Sequence, residues 1–250
     1  MKKSKVTVVT VVFNNKDGIR GTIESVINQT FPLEYIIIDG GSTDGTVDII
    51  KEYDAQIDYW VSEPDNGIYD AMNKGIKAAT GEWILFMNSG DTFHNEYVVE
   101  RIFSQSYNDN VGVIWGNTDL YRDGKYIAKL KNTPFYKHLS TAFLGKGICH
   151  QSLFTRTVLA KKFMFDTSYK ICADFDMMYR IYKKGYKFAY IPIVISHYDI
   201  TGISSMNTSN ISLAENKRII HHKYNRLYYW GYLYIYIKIK KIAKRLLGRK

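Results

Sequence analysis

Two kinds of hydrophobic pattern alternate along the first part of the chain. Val6–Phe13 is a continuous run rich in Val, as in a strand buried on both faces of a sheet. Ile19, Ile23, Val26 and Ile27 then recur at a helical period over Ile19–Gln29, and Pro32 stops that helix. Tyr35–Asp39 is the second strand, Val47, Ile49 and Ile50 mark the next helix, and Ile57–Ser62 is the third strand. A helix over Ile68–Ala79 ends at Gly81, and Trp83–Met87 is a fourth strand. Strands and helices in such short steps predict a doubly wound, mainly parallel α/β sheet flanked by helices. Past Asp91 the rhythm changes. Val98–Phe103, Val158–Phe163 and Phe175–Tyr182 read as helices, and Val111–Trp115 and Lys187–Ile195 as strands. Tyr121–Leu130 reads as an edge strand about the turn Arg122-Asp123-Gly124.

Composition changes this picture only through the location of charge. The chain has 250 residues with 46% hydrophobic and 23% charged content, ordinary for a globular protein apart from its 21 tyrosines. Its net charge is +10, yet residues 217–250 hold 11 of the 34 Lys and Arg and no acid. Residues 1–216 therefore carry 23 basic against 24 acidic side chains. That balance argues against a nucleic-acid-binding body and for a tail that meets an anionic surface. Two cysteines, Cys149 and Cys172, point to buried thiols in a reduced compartment rather than a disulfide framework. The basic start Met1-Lys2-Lys3-Ser4-Lys5 precedes only eight apolar-run residues, so it reads as the entry to a core strand of a cytoplasmic protein rather than a signal peptide.

Four polar clusters stand where chemistry is expected. Asp39 ends a buried strand and is followed by Gly40-Gly41-Ser42-Thr43-Asp44. Ligands of open α/β sheets collect at the carboxyl ends of the strands, and a carboxylate there can accept from a base or sugar. Ser42 or Asp44 reads as the N-cap of the next helix. Asn88-Ser89-Gly90-Asp91 follows the fourth strand, placing Asp91 on the same edge, either as an oxygen ligand for Mg²⁺ or Mn²⁺ or as part of a capping turn. Asp174 and Asp176 open a helix, where they complement its dipole, and one of them can serve as a general base. Their spacing of two points them to different helix faces. Asp65, Asn66, Asp70, Asn73 and Lys74 crowd a loop and helix start, with Asp70 and Lys74 placed to pair at i,i+4. His150, Gln151 and His197 lie near apolar segments, where a lone histidine is more often a satisfied core group than a ligand.

Taken together and in order, these segments resemble glycosyltransferase family 2, of GT-A (Rossmann-like) fold, across about residues 4–200. Val6–Asn14 resembles the opening strand ending in an aromatic-Asn pair, and Ile38–Thr46 the nucleotide-binding Asp-Asp-Gly-Ser-Thr-Asp segment. Asp65–Gly75 resembles the segment flanking the donor, Asn88–Asp91 the metal-binding Asp-x-Asp, and Ala173–Asp176 the block carrying the catalytic base. The resemblance implies an inverting, metal-dependent transfer from a nucleotide-sugar, commonly a UDP-sugar. It implies Asp174 as catalytic base and Asp91 as ligand of Mn²⁺ or Mg²⁺. It implies Phe13, Asn14, Asp39, Asp65, Asn73, Lys74, Ser89, His150 and Gln151 around the nucleotide-sugar. Three departures stand out: Gly40 replaces the second acid of the first motif, Asn88 and Gly90 replace acids of the metal motif, and Ala173 replaces a Glu. Asp39 alone would then serve the nucleotide. The subtype resembles bacterial enzymes of exopolysaccharide, capsule or O-antigen assembly, which implies a glycan or lipid-linked acceptor. Two other readings remain open at this point, a nucleotidyltransferase and a non-catalytic nucleotide-sugar sensor on the membrane. The first would require a better phosphate loop than Phe13–Gly18; the lost acids keep the second in play.

Residues 1–204 are expected to form the GT-A domain and 205–250 a helical extension. On a helix, Ile235, Ile239, Ile242, Ala243, Leu246 and Leu247 share one arc and Lys238, Lys240, Lys241, Lys244 and Arg245 the opposite one. The apolar stretch Leu227–Ile237 is too short to span a bilayer. An aromatic, basic amphipathic segment over 227–250 is expected to lie on the inner face of the cell membrane as a peripheral anchor, or else to pack on the domain or a second copy.

Overall fold

The computed structural model describes residues 5–130, 149–200 and 209–221. Nine strands form one mixed sheet among them: β1 (Val6–Val12), β2 (Glu34–Asp39), β3 (Tyr59–Ser62), β4 (Trp83–Phe86), β5 (Thr92–Phe93), β6 (Val111–Arg122), β7 (Lys125–Leu130), β8 (Leu153–Arg156) and β9 (Lys187–Asp199). Their order is β3-β2-β1-β4-β8-β6-β9-β5, with β7 paired to the outer part of β6. The half built from β1 to β4 is parallel throughout. β8 runs antiparallel to both β4 and β6, while β6 and β9 are again parallel.

All seven residues of β1 are buried, as its unbroken apolar run predicts, because helices cover both faces. Val9 and Val11 of β1 and Ile36 and Ile38 of β2 face one layer. In it lie α3 (Ile68–Ala78), α5 (Thr157–Phe163) and α6 (Ala173–Lys183), with Met72, Ile76, Leu159, Phe175 and Met178 among the packed side chains. Val6, Val8 and Val12 face the other layer with Tyr35 and Ile37. There they meet Ile19, Ile23 and Val26 of α1 (Lys16–Ile27) and Val98, Val99 and Ile102 of α4 (Val98–Phe103). Each buried Val, Leu or Ile contributes about 1.5–3 kcal/mol against exposure. A further helix, α2 (Thr46–Glu52), follows β2.

Several boundaries differ from the expectation, each for a local reason. The first helix begins at Lys16 because Asn15 caps it, its side chain accepting from the Gly18 amide, and it stops at Ile27 well before Pro32. β6 runs through Tyr121 to Arg122 before turning at Asp123-Gly124, both with positive φ, so the edge strand is only β7. β9 continues to Asp199. The short strands β5 and β8 have no periodicity of their own and are defined by their partners.

The segment expected as an extension begins with α7 (Ser209–His221), which docks on the core through Ile219. The Glu215 carboxylate accepts from the backbone amides of Lys170, Ile171 and Cys172, the last being the N-cap of α6. The amphipathic stretch 227–250 lies outside the described residues. No helix among the described residues is long and apolar enough to cross a membrane.

The parallel half is held at close range by Gly75. A Cβ built there would run into Cγ1 of Val9, so α3 lies directly on β1. Gly75→Ala is expected to cost about 1–3 kcal/mol by overpacking in urea denaturation. Adding Val9→Ala should make the effect of Gly75→Ala clearly smaller. Equal effects in the two backgrounds would show that α3 does not meet β1 there.

Candidate active site

The strand register fixes where the polar clusters meet. Val12 pairs with Asp39 and Asp39 with Ser62, while Met87 N and Ser89 N bond to Val9 O and Val11 O. The segments after β1, β2, β3 and β4 therefore leave the sheet at one end, the edge on which Asp39 and Asp91 were expected together. Asn14 turns the chain there with φ of 46°, a conformation Asn tolerates better than most residues. Its amide N donates to Ser42 Oγ at 2.7 Å and its Oδ1 accepts from Thr43 N at 2.9 Å, which laces the first two loops together.

Asp39 is fully buried and organises that turn. Its Oδ2 accepts from Gly41 N, Ser42 N and Ser62 Oγ at 3.1, 2.9 and 2.6 Å, and its Oδ1 accepts from Ser42 Oγ at 2.5 Å. Turn chemistry thus reaches back to Asp39, which the sequence placed ahead of the turn. The N-cap position of α2 is Gly45, with φ of 100°, rather than Ser42 or Asp44. Asp44 supports the helix start by accepting from Thr46 N and Thr46 Oγ1. The reason for Gly40 is also visible. A Cβ there would stand 2.5 Å from Asp65 Oδ2 and 3.3 Å from Phe13 Cδ2. The carboxylate of Asp65 fills the space a side chain at position 40 would need, so Asp39 is not the lone acid at this corner. Phe13, 62% exposed, presents its ring beside them.

In the next cluster Lys74 pairs with Glu63 at 2.8 Å and donates to Pro64 O at 3.0 Å, while Asp70 accepts from Asn66 N at 3.0 Å. The expected Asp70–Lys74 pair is thus replaced by a brace from α3 to the loop that carries Asp65. Asn73 was expected at the nucleotide-sugar. Its Nδ2 instead donates to Phe165 O and its Oδ1 accepts from Phe165 N, both at 2.9 Å and buried. Those two bonds leave it bracketing α3 to the segment before α6, a role set by tertiary packing that local sequence does not show.

The turn after β4 is held by α1. Thr22 Oγ1 donates to Asp91 O at 2.8 Å and accepts from Gly90 N at 2.9 Å, and Asn15 Nδ2 donates to Ser89 Oγ at 3.0 Å. Sequence reasoning missed Thr22; its one signal is a hydroxyl among Ile19, Ile23 and Val26 on a buried helix face. Asp91 is buried, with Oδ2 accepting from Gln151 Nε2 at 2.7 Å and Oδ1 from Asp199 N at 3.1 Å. Burial pushes its carboxyl up to about 7, partly offset by the Gln151 hydrogen bond. In the same turn the buried Asn88 Oδ1 has no hydrogen-bond partner among the described residues. One carboxylate and one unpartnered amide oxygen are hard donors that suit Mg²⁺ or Mn²⁺ alongside substrate phosphates.

His150 and Gln151 sit in a 3-10 turn that leads into β8 and reach the same turn. Asn88 Nδ2 lies 2.9 Å from His150 Nε2, and His150 Nδ1 lies 3.4 Å from Asp174 Oδ2. An amide nitrogen only donates, so with the amide in this orientation Nε2 accepts and the ring proton on Nδ1 points at Asp174. Asp174 and Asp176 diverge as their spacing predicts. Asp176 accepts from Arg180 Nε at 2.7 Å, and Arg180 in turn binds Phe163 O and Met164 O. Asp176 therefore steadies Arg180, which ties α6 to the end of α5, and Asp174 is the acid facing His150. Cys149 and Cys172 are buried and unbridged, with burial pushing both thiols up to about 12.

A curled α/β sheet with polar loops at the carboxyl end of its parallel half defines a GT-A-type protein, and the comparisons agree. The profile of "Glycosyl transferase family 2" matches residues 7–171. The chain belongs to glycosyltransferase family 2. It is 31% identical over 226 residues to the uncharacterized glycosyltransferase Rv1514c of Mycobacterium tuberculosis, covering 88% of this chain and 85% of that one. It is 26% identical over 215 residues to the amylovoran biosynthesis glycosyltransferase AmsB of Erwinia amylovora, covering 79% and 70%. Among solved structures, S. aureus TarS 1–349 in complex with UDP shares the fold at a TM-score of 0.65 and 18% identity, covering 86% of this chain and 69% of that one. The mannosyltransferase PcManGT of Pyrobaculum calidifontis, in complex with GDP-Man and Mn²⁺, does so at 0.61 and 18%, covering 79% and 57%.

Burial of Asp91 has a consequence for stability. Its folded pKa of about 7 lies above its ordinary 3.8, so the folded chain holds a proton that the unfolded chain releases between those values. This contribution is complete below about pH 4 and is lost as pH rises through 7. In metal-free protein, denaturant unfolding across that range should show wild type losing stability relative to Asp91→Asn as pH rises. Parallel curves would contradict the burial argument.

Proposed function

We propose that the protein is an inverting glycosyltransferase that moves a sugar from a UDP-sugar to a hydroxyl of a glycan or lipid-linked glycan in bacterial surface-polysaccharide assembly. The observation that carries this reading is the line Asn88–His150–Asp174, which joins the turn after β4 to a carboxylate at the start of α6. Phe13, Asp65 and the Asp39-ordered turn border the nucleotide end. An exposed ring there suits stacking on a base, and the Asp65 carboxylate suits hydrogen bonds from the base or ribose. Lys74 holds the loop bearing Asp65, and Asn14 and Ser89 tie the neighbouring loops. Binding of UDP by TarS, and of GDP-Man and Mn²⁺ by PcManGT, supports a nucleotide-sugar donor with a divalent ion.

Asp174 acts as general base. As the acceptor oxygen bonds to the anomeric carbon, the bond from that carbon to the diphosphate oxygen breaks on the opposite face. Asp174 takes the acceptor's proton, and the nucleoside diphosphate leaves with the electron pair. The His150 Nδ1 proton orients the carboxylate, and Gln151 orients Asp91. Asp91 and Asn88 would hold Mn²⁺ or Mg²⁺, which when bound neutralises charge on the leaving diphosphate. The basic segment 227–250 keeps the enzyme on the inner face of the cell membrane beside a lipid-linked acceptor, each Lys or Arg near the surface contributing on the order of 1 kcal/mol.

Asp174→Asn is expected to lower transfer by about 10²–10⁴-fold, while UDP binding by calorimetry stays within a few-fold of wild type. Full activity in that variant would end the assignment of the base. For the membrane, the full chain should float with anionic liposomes while a chain ending at His221, which keeps α7, should not. Equal flotation of the two would remove the anchor and leave the catalytic reading untouched.

A further inference from the structure

Outside the loops just described, three strands bring together two imidazoles and a carboxylate: His94 just after β5, Asp119 on β6 and His197 on β9. The pairing places them. Asp119 is the register partner of His197, Thr92 is the antiparallel partner of His197, and His94 N bonds to Ile195 O. His94 Nδ1 faces His197 Nε2 at 2.8 Å, and one ligand atom from each of the three residues lies within 4.8 Å of the others. Asp119 is 7% exposed, and its Oδ1 is buried with no hydrogen-bond partner among the described residues. A buried carboxylate oxygen without a donor is costly, and a bound cation is one of the few groups that relieves it.

We infer that His94, Asp119 and His197 form a binding site for a divalent transition metal of the Zn²⁺ class. The site shares no residue with the Asn88–Asp91 turn. Two imidazole nitrogens and one carboxylate oxygen are the donors that Zn²⁺ prefers, whereas Mg²⁺ and Mn²⁺ favour oxygen. Zinc bonds of about 2.0–2.2 Å in a tetrahedron put ligand atoms about 3.3 Å apart. The His94–His197 pair is already inside that separation, and the exposed His94 side chain is free of the packing that would hold it there. The unligated nitrogen of His197, Nδ1, lies 3.5 Å from Thr92 Oγ1, an outer partner that leaves Nε2 for the metal. The Tyr121 ring packs against the same imidazole with centroids 4.8 Å apart, restricting its rotation. Exposure of His94 provides the entry path, and the fourth position is open to water. An ion here ties β5 to β6 and β9 three residues after Asp91, and so braces the turn that carries it.

The test uses the untagged full chain, stripped with a chelator and titrated at pH 7.5 with Co²⁺ and then Zn²⁺. One equivalent of Co²⁺ should give the visible absorption of a low-symmetry four-coordinate site, and Zn²⁺ should abolish it. His94→Ala, His197→Ala and Asp119→Asn should each weaken binding by at least about tenfold, while Asp91→Asn should leave it intact. Zn²⁺ should raise Tm in wild type and not in His94→Ala, whose side chain is exposed and not needed for folding. Failure to bind one equivalent would overturn the site, as would binding that survives replacement of both His94 and His197. Binding lost in Asp91→Asn but kept in His94→Ala would place the ion in the sugar-transfer site instead.

Discussion

A single imidazole joins the two halves of the site. His150 stands between the Asn88 amide, which belongs to the parallel half of the sheet, and the Asp174 carboxylate, which belongs to the helix built after the topology changes. Both neighbours are fixed from behind. Asn88 sits in a turn held by Thr22, and Asp174 follows a segment whose amides are gathered by Glu215 and whose Ile171 carbonyl accepts from Tyr69. With the Asn88 amide nitrogen at Nε2, the Nδ1 proton points at Asp174.

The same logic of a buried polar group set by its neighbours explains the acids. Asp39, Asp91, Asp174 and Asp176 are all buried, and each has donors of its own. Asp39 accepts four hydrogen bonds, from the turn it organises and from Ser62, and Asp176 accepts one from Arg180. Burial penalises the charged form of Asp91, because its two donors do not offset the loss of water. A cation would reverse that balance, which is why the unpartnered Asn88 oxygen in the same turn is informative. The departures from the family pattern thereby acquire physical sense. A side chain at position 40 would meet the Asp65 carboxylate, and Asn88 supplies an amide nitrogen to His150 that an acid at that position would lack.

What the sequence made legible was local. Strands buried on both faces announce themselves as unbroken runs, and the polar residues at their carboxyl ends mark a ligand edge, so β1, β2 and β4 and the clusters after them were readable. The split between Asp174 and Asp176 also followed from helical spacing. What stayed hidden depends on partners distant in sequence. β5 and β8 are too short to carry a period and exist through their pairing. The bracket from Asn73 to Phe165 and the filling of the Gly40 space by Asp65 join segments from different crossovers, and the brace from Lys74 to Glu63 ties a helix back to the loop before it. Thr22 and Glu215 look like ordinary helix residues until the turn and the helix start they hold are seen.

The central claim is that His150 acts on transfer through Asp174 rather than beside it. A double-mutant cycle on kcat with His150→Ala and Asp174→Asn tests it directly. Each single change should slow transfer, and the double variant should be no slower than Asp174→Asn alone, because the imidazole has nothing left to orient. Losses that multiply would contradict the account and show that the two side chains serve the reaction independently.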